Sequence, residues 1–345
     1  MSLFRSASIV SLLTLASRVL GLVRELLVAS IFGASIFTDA FNVAFRIPNL
    51  FRRLFAEGAF SQAFVPVLAA ARAREGDAAT RSMLGHVATV LFWALVVLCI
   101  AGVVGAPLLV WFMASGLQRY PEGYAAAVVM TRWIFPYIGF MSLAAMAAGV
   151  LNTWERFAVP AVSPVFLNIT MIAAAWWIAP LMERPEISLA IGVFLGGLVQ
   201  FLFQYPFLRQ LNMLVWPKWG WHHPGVVKIR TLMIPALFGV SVSQINLLIN
   251  TMLASFLATG AISYLYYSDR LLEFPLGLFA VAISTVILPA LARKHVDADP
   301  ADFSRTMDWG VRMVMLLGLP AMVGIAVLRE PILRVLFMRG EFGLH

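Results

Sequence analysis

TDAFNVAFRIPNLFRRLFAEGAFSQAFVPVL, Thr38 to Leu68, reads as a bilayer-crossing stretch, yet it carries Asp39, Arg46, Arg52, Arg53 and Glu57. An arginine at mid-bilayer costs about 2.5–3.5 kcal/mol even on the lenient insertion scale. Such side chains must face protein, water or a ligand. Asp39, Asn42, Arg46, Asn49, Arg53, Glu57 and Ser61 recur every three or four residues, one face of an α-helix. At helical rise the stripe extends about 33 Å, the thickness of a hydrocarbon core. A polar line of that length predicts the wall of an aqueous cavity. The apolar run continues to residue 72, too long for one straight crossing, and Pro48, Gly58 and Pro66 give it places to bend.

The rest of the chain agrees with a membrane setting. Of 345 residues 61% are hydrophobic and 12% charged, against roughly a quarter charged in soluble domains. The mean hydropathy is +0.88. Nine apolar runs recur, at about 7–31, 34–72, 84–113, 125–150, 159–181, 187–210, 230–258, 262–292 and 308–328. Uninterrupted runs of this length predict helices, not the alternating strands of a barrel, so the expected class is all-α integral membrane. The N-terminal run lacks a small-x-small cleavage site and carries Arg18 and Arg24, so it reads as an uncleaved span. Cys99 is the single cysteine, which excludes an intrachain disulfide and a thiolate metal site.

Charge sorts by loop. The N-terminus and the loops after even-numbered runs hold twelve Lys/Arg, whereas those after odd-numbered runs hold Arg119 and Arg184, with three more in the last seventeen residues. The positive-inside rule places the N-terminus in the cytoplasm. The basic segment 209–230, interleaved with Trp216, Trp219 and Trp221, reads as an anchor on anionic lipid; nucleic acid is not an expected partner.

An internal repeat runs through the chain. LVASIFGAS (Leu27–Ser35) returns as MLASFLATG (Met252–Gly260), FVPVLAAAR (Phe64–Arg72) as ILPALAR (Ile287–Arg293), TRSM (Thr80–Met83) as SRTM (Ser304–Met307), and PLLVWFM (Pro107–Met113) as PILRVLFM (Pro331–Met338). Four matches in order at an offset near 224 indicate a duplication. The expected domains are a six-helix lobe over 1–224 and the first three helices of a second, parallel lobe over 225–345. A complete second copy would extend further, so the chain reads as C-terminally truncated.

Polar faces fall on the first two helices of each copy. Ser17, Arg18 and Arg24 lie on the first; Ser243, Asn246 and Asn250 on the seventh; Asp269, Arg270 and Glu273 open the eighth. Arg53–Glu57 and Arg270–Glu273 have helical ion-pair spacing, and Arg24 adjoins Glu25, so pairing within helices is one reading. The excess of arginine over acid in the first two runs favours the other, a cavity for an anion, since the guanidinium fork suits phosphate or diphosphate. His86, His222, His223, His295 and His345 lack metal-ligand spacing, and there is no Gly-rich phosphate loop, hydrolytic triad or paired-aspartate Mg²⁺ motif. A transporter is expected, not an enzyme.

SRVLGLVRE (Ser17–Glu25), Thr38–Leu68, LNTWERFAVPAVSPVFLNI (Leu151–Ile169) and YYSDRLLEFPLG (Tyr266–Gly277) resemble the MurJ (MviN) lipid II flippases of bacteria. The resemblance implies a two-lobe fold of fourteen helices in the bacterial inner membrane. It implies alternating-access transfer of an undecaprenyl-diphosphate-linked disaccharide-pentapeptide to the outer leaflet, in peptidoglycan synthesis. By the same resemblance Arg18, Arg24, Arg52 and Arg270 are cavity cations for the diphosphate, and Asp39 and Glu57 are cavity acids. The stripe favours Arg53 over Arg52, and both stand as candidates. Lipid II and membrane lipids are the expected partners and a monomer the expected state. No cofactor is expected, and sodium, protons and membrane potential stay open as driving force. The alternatives are a polysaccharide-lipid or drug exporter of the same superfamily, or a non-transporting membrane fragment.

Overall fold

The computed structural model describes residues 3–275 and 300–336, and among these every regular element is helical. In chain order they are α1 Leu3–Phe32, α2 Ile36–Phe51, a π-helical segment Arg52–Phe60, α3 Ser61–Val104, α4 Ala106–Met113, α5 Pro121–Ile134, α6 Tyr137–Thr153, α7 Ala158–Ala173, α8 Ile187–Gln210, α9 Pro224–Ser255, α10 Ala261–Pro275 and α11 Pro300–Leu336. Among the described residues six stretches are long and apolar enough to cross a bilayer: Gly58–Val104, Pro121–Thr153, Ala158–Leu181, Ile187–Gln210, Pro224–Val242 and Ser304–Ile332. Of the nine runs expected to cross, most of 262–292 lies outside the described residues. Helices α1, α2 and α10 fall within three of the expected runs and carry the charged residues.

Local chemistry sets the breaks. Ser35 caps α2, its hydroxyl accepting from the Thr38 amide at 3.3 Å. The 44 residues of α3 would make a rod of about 66 Å, twice a hydrocarbon core. Gly76 (φ +79°, ψ 179°) divides it into two helices at the point where the second and third apolar runs were expected to part. Pro136 separates α5 from α6 by removing an amide donor.

Two clusters form the interior. One gathers Phe41, Phe45 and Ile47 of α2 with Ile134 of α5, Ile138 of α6 and Val193 of α8. The other joins Phe60, Phe64, Leu68 and Leu84 to Val226 and Ile229 of α9. Apolar side chains left outside, such as Val97, Ile100, Val104, Phe238 and Val242, form the lipid-facing surface of a membrane protein.

Candidate functional site

The polar stripe on α2 does not run as one cavity wall. Its first part is a dry seam: Asp39, Asn42 and Arg46 are 2%, 3% and 7% exposed, packed against α9 and α10. Beyond Phe51 the backbone becomes π-helical, which rotates the register, so the three-and-four spacing does not hold one face through Arg53, Glu57 and Ser61. This corrects the expectation of a continuous α-helical stripe. The Glu57 side chain lies outside the described residues.

Asp39 does for α10 what Ser35 does for α2. Its carboxylate accepts from the Gly260 amide at 2.7 Å, the Ser263 amide at 2.8 Å and the Ser263 hydroxyl at 2.6 Å. These amides belong to the orphan donors that every helix start presents. In the repeat, Gly260 stands where Ser35 stands, 225 residues earlier, and a glycine offers no capping side chain. A larger residue does not fit there: φ is +89°, and an added Cβ would sit 3.0 Å from the Ala34 carbonyl oxygen. The start of α10 thus takes its cap from α2. Asn42 extends the contact by donating to the Ser263 hydroxyl at 3.0 Å.

Along the same seam Arg46 hydrogen-bonds the Thr251 hydroxyl of α9, with Asp269 of α10 at 3.6 Å. Asp269 is half-exposed, so solvent screening leaves that ion pair worth about 1 kcal/mol at most. The turn after α4 closes the edge: the Gly116 amide donates to the Ser255 hydroxyl at 3.1 Å, and Arg119 reaches the Phe256 carbonyl at 3.4 Å.

A second charged group joins α1, α7 and α10. Arg24, 4% exposed, pairs with neighbouring Glu25 and donates to the Asn168 side-chain oxygen of α7 at 3.0 Å. Asn168 in turn donates to the Ser17 carbonyl at 3.0 Å, tying the α1 backbone to α7. Glu25 also accepts from the Tyr266 hydroxyl at 2.9 Å, and Arg270 lies 3.6 Å away. One carboxylate thus faces two guanidiniums and a phenol.

The expected cations therefore divide. Arg24 and Arg270 share Glu25, and Arg46 meets Asp269. Arg52 is half-buried, donating to Asn49 at 3.2 Å. Arg18 and Arg53 are exposed, and among the described residues neither has an acidic partner. Asn250 is exposed on α9 beside Thr251. Glu273 falls near the end of α10, with its side chain outside the described residues. Arg46 and Asn168 were missing from the sequence-derived site; position within the polar stripe was a signal for Arg46, and a lone Asn in an apolar run is only a weak one for Asn168. Among the described residues no group of three metal-ligating side chains assembles.

A buried seam of arginines and acids between membrane helices defines the class, an all-α multi-pass membrane protein built around a charged interior. The chain belongs to the lipid II flippase MurJ family, whose model matches residues 28–345. A relative from Vibrio cholerae described as a probable lipid II flippase MurJ is 56% identical over 99% of this chain and 66% of its own length. The lipid II flippase MurJ of Burkholderia cenocepacia is 48% identical over 100% and 68%. A solved structure titled lipid II flippase MurJ, inward closed conformation, superposes with a TM-score of 0.80 at 29% identity, over 97% of this chain and 68% of the other. The chain thus spans about two thirds of the length of the relatives it matches.

Proposed function

We propose that this chain carries the head-group site of a flippase that moves the undecaprenyl-diphosphate-linked peptidoglycan precursor, lipid II, across the bacterial inner membrane. Family membership supports the class of cargo. The observation that carries the site is the division of cations: Arg18 and Arg53 stand exposed and, among the described residues, without acidic partners, whereas Arg24 and Arg270 are held by one carboxylate. Exposed guanidiniums capture the diphosphate first. The bound anion then competes with Glu25 for Arg24 and Arg270, and the fork geometry of arginine favours phosphate oxygens in that exchange.

In this reading the N-terminus is cytoplasmic, residues 1–224 form one lobe, residues from 225 onward belong to the second, and the protein works as a monomer. The Asp39–Gly260 end of the seam is then the outer gate, closed in the state described. Exchange at Glu25 loosens the α1–α10 contact, and the outer gate parts afterwards. Ser17, Asn250 and Asp269 line the route, and Glu57 and Glu273 stand as candidates from the sequence alone. No cofactor is assigned.

Native mass spectrometry tests the reading, titrating the chain with lipid II, undecaprenyl phosphate and cardiolipin. Lipid II selectivity should fall at least about tenfold in R18A/R53A and in R24A/R270A, equivalent to losing one charge-assisted contact of about 1.5–3 kcal/mol. R24K/R270K should recover charge without recovering selectivity. Equal binding by all variants would make these charges purely structural.

A further inference from the structure

The linker between α8 and α9 is fastened to α3 by a pair of stacked histidines. His86 of α3 and His223, the residue before α9, stack face to face with centroids 4.5 Å apart and planes at 19°. His223 Nδ1 accepts from the Gly225 amide at 3.2 Å, capping α9. An amide can only donate, so this nitrogen carries no proton. His86 Nδ1 lies 3.2 Å from the Lys218 carbonyl oxygen, which can only accept, so that nitrogen is the protonated one. Both tautomers are therefore fixed by their partners.

The rest of the linker follows the same clasp. The Lys218 amide donates to the Thr89 hydroxyl at 2.8 Å, its ammonium lies 3.5 Å from the Ser82 hydroxyl, and Arg81 donates to the Leu214 carbonyl at 3.2 Å. Behind the stack, Val226 and Ile229 of the first turns of α9 enter one core with Met83, Leu84 and Val87. Further along, α9 lies against the π-helical segment, where a Cβ on Gly58 would come 3.0 Å from Val240. One rod, α9, thus runs from the histidine stack at its foot to the helix segment that carries Arg52 and Arg53, which it meets at Val240.

We propose that the His86–His223 stack is a pH-sensitive clip, closed while His223 is neutral and opened when His223 takes a proton. Protonation removes the acceptor with which His223 caps α9. It also sets an imidazolium against another imidazole and at the positive end of a helix dipole. The charged and titratable groups of the elements meeting here are Arg72, Arg74, Glu75, Asp77, Arg81 and His86 from α3, Lys218 and His222 from the linker, and Lys228 and Arg230 from α9. Of these, Glu75 favours the proton on His223 and His86 opposes it. Partial burial, followed by His86, holds His223 below the ordinary histidine value of 6.5, with Glu75 acting the other way. Because the folded value is the lower one, the clip is fully set above pH 6.5 and is lost as pH falls through that lower value. A drop in pH on this face therefore frees the foot of α9 and, through it, the segment bearing Arg52 and Arg53.

Hydrogen–deuterium exchange of the whole chain in lipid nanodiscs, between about pH 5 and pH 8, reads the clip directly after correction for intrinsic exchange. Segment 213–228 should lose roughly fivefold of its protection across the acid limb in the wild type, the weight of one lost helix cap. H223N keeps a neutral cap and should show a flat profile. H86F keeps a ring for stacking and removes the neighbour that holds His223 down, so its transition should move to higher pH. Matching pH profiles for wild type and H223N would overturn the proposal. Histidine ¹⁵N spectra of the wild type give a check that needs no variant protein. An unprotonated Nδ1 on His223 at neutral pH, lost on acidification, is expected; a proton on it at neutral pH would sink the idea.

Discussion

Replacing Asp39 by Asn separates the cap on α10 from its volume. The amide is nearly isosteric, keeps one acceptor oxygen and removes the charge. Its NH₂ must then face either the Gly260 amide or the Ser263 pair, so one donor inside a dry seam is left opposite another donor. A buried donor without a partner costs about 1–3 kcal/mol, and loss of an anion from a helix N-terminus about 0.3–1 kcal/mol more. Together they shift the equilibrium between closed and parted seam by about 1.3–4 kcal/mol, roughly tenfold to several hundredfold at 1.4 kcal/mol per decade. Spin labels at Tyr120 and Leu257, both exposed and flanking the Arg119–Phe256 contact, report that edge in a C99A background. The D39N distance distribution should gain a longer component, and melting should fall. G260S in the D39N background should not restore the cap, because φ is +89° and the Ala34 carbonyl blocks a side chain. An unchanged distance distribution together with unchanged melting would refute the argument that Asp39 holds the seam by capping.

Three further outcomes follow from the same contacts. E25Q removes the carboxylate that Arg24 and Arg270 share, so lipid II should bind severalfold more tightly by native mass spectrometry while the melting temperature falls; weaker binding would contradict competition for these arginines. G116A should destabilise the closed edge by about 1–3 kcal/mol in denaturation, because a Cβ there overlaps the Ser255 carbonyl. Q204L should leave melting unchanged or raise it, since the Gln204 side-chain oxygen is buried without a hydrogen-bond partner and its amide makes only a 3.5 Å contact to Gln200; a large drop in melting would mean the oxygen is satisfied in the membrane.

How much was legible in the sequence depended on the distance over which the chemistry acts. Helix positions follow from apolar runs, because burial against lipid or core is decided residue by residue. The breaks at Gly76 and Pro136 follow from local backbone chemistry. The polar stripe on α2 was legible as a stripe, but its role was not. Asp39, Asn42 and Arg46 turn out to face other helices, a fact set by packing partners more than 200 residues away. The π-helical turn at Arg52–Phe60 left no periodic mark, since one altered turn changes register without changing composition. Pairing of Arg24 with Glu25 was visible as adjacency, whereas their sharing with Asn168, Tyr266 and Arg270 needed the fold. The trans cap did leave a trace: aligning the two copies sets Gly260 against Ser35, a helix start without its cap. His86 and His223, 137 positions apart in the chain, left none.

The cap that Asp39 provides changes what a duplication means for this chain. Two copies that each close their own helices could drift apart freely or be exchanged for one another. Here the repeated stretch carries Gly260 where its counterpart has Ser35, and the opening turn of α10 is complete only against α2. Parting the copies at that edge therefore frays a helix as well as breaking a contact. The resistance to parting sits at the start of α10, five residues before the tyrosine that touches Glu25, so cap and charge cluster share one short rod.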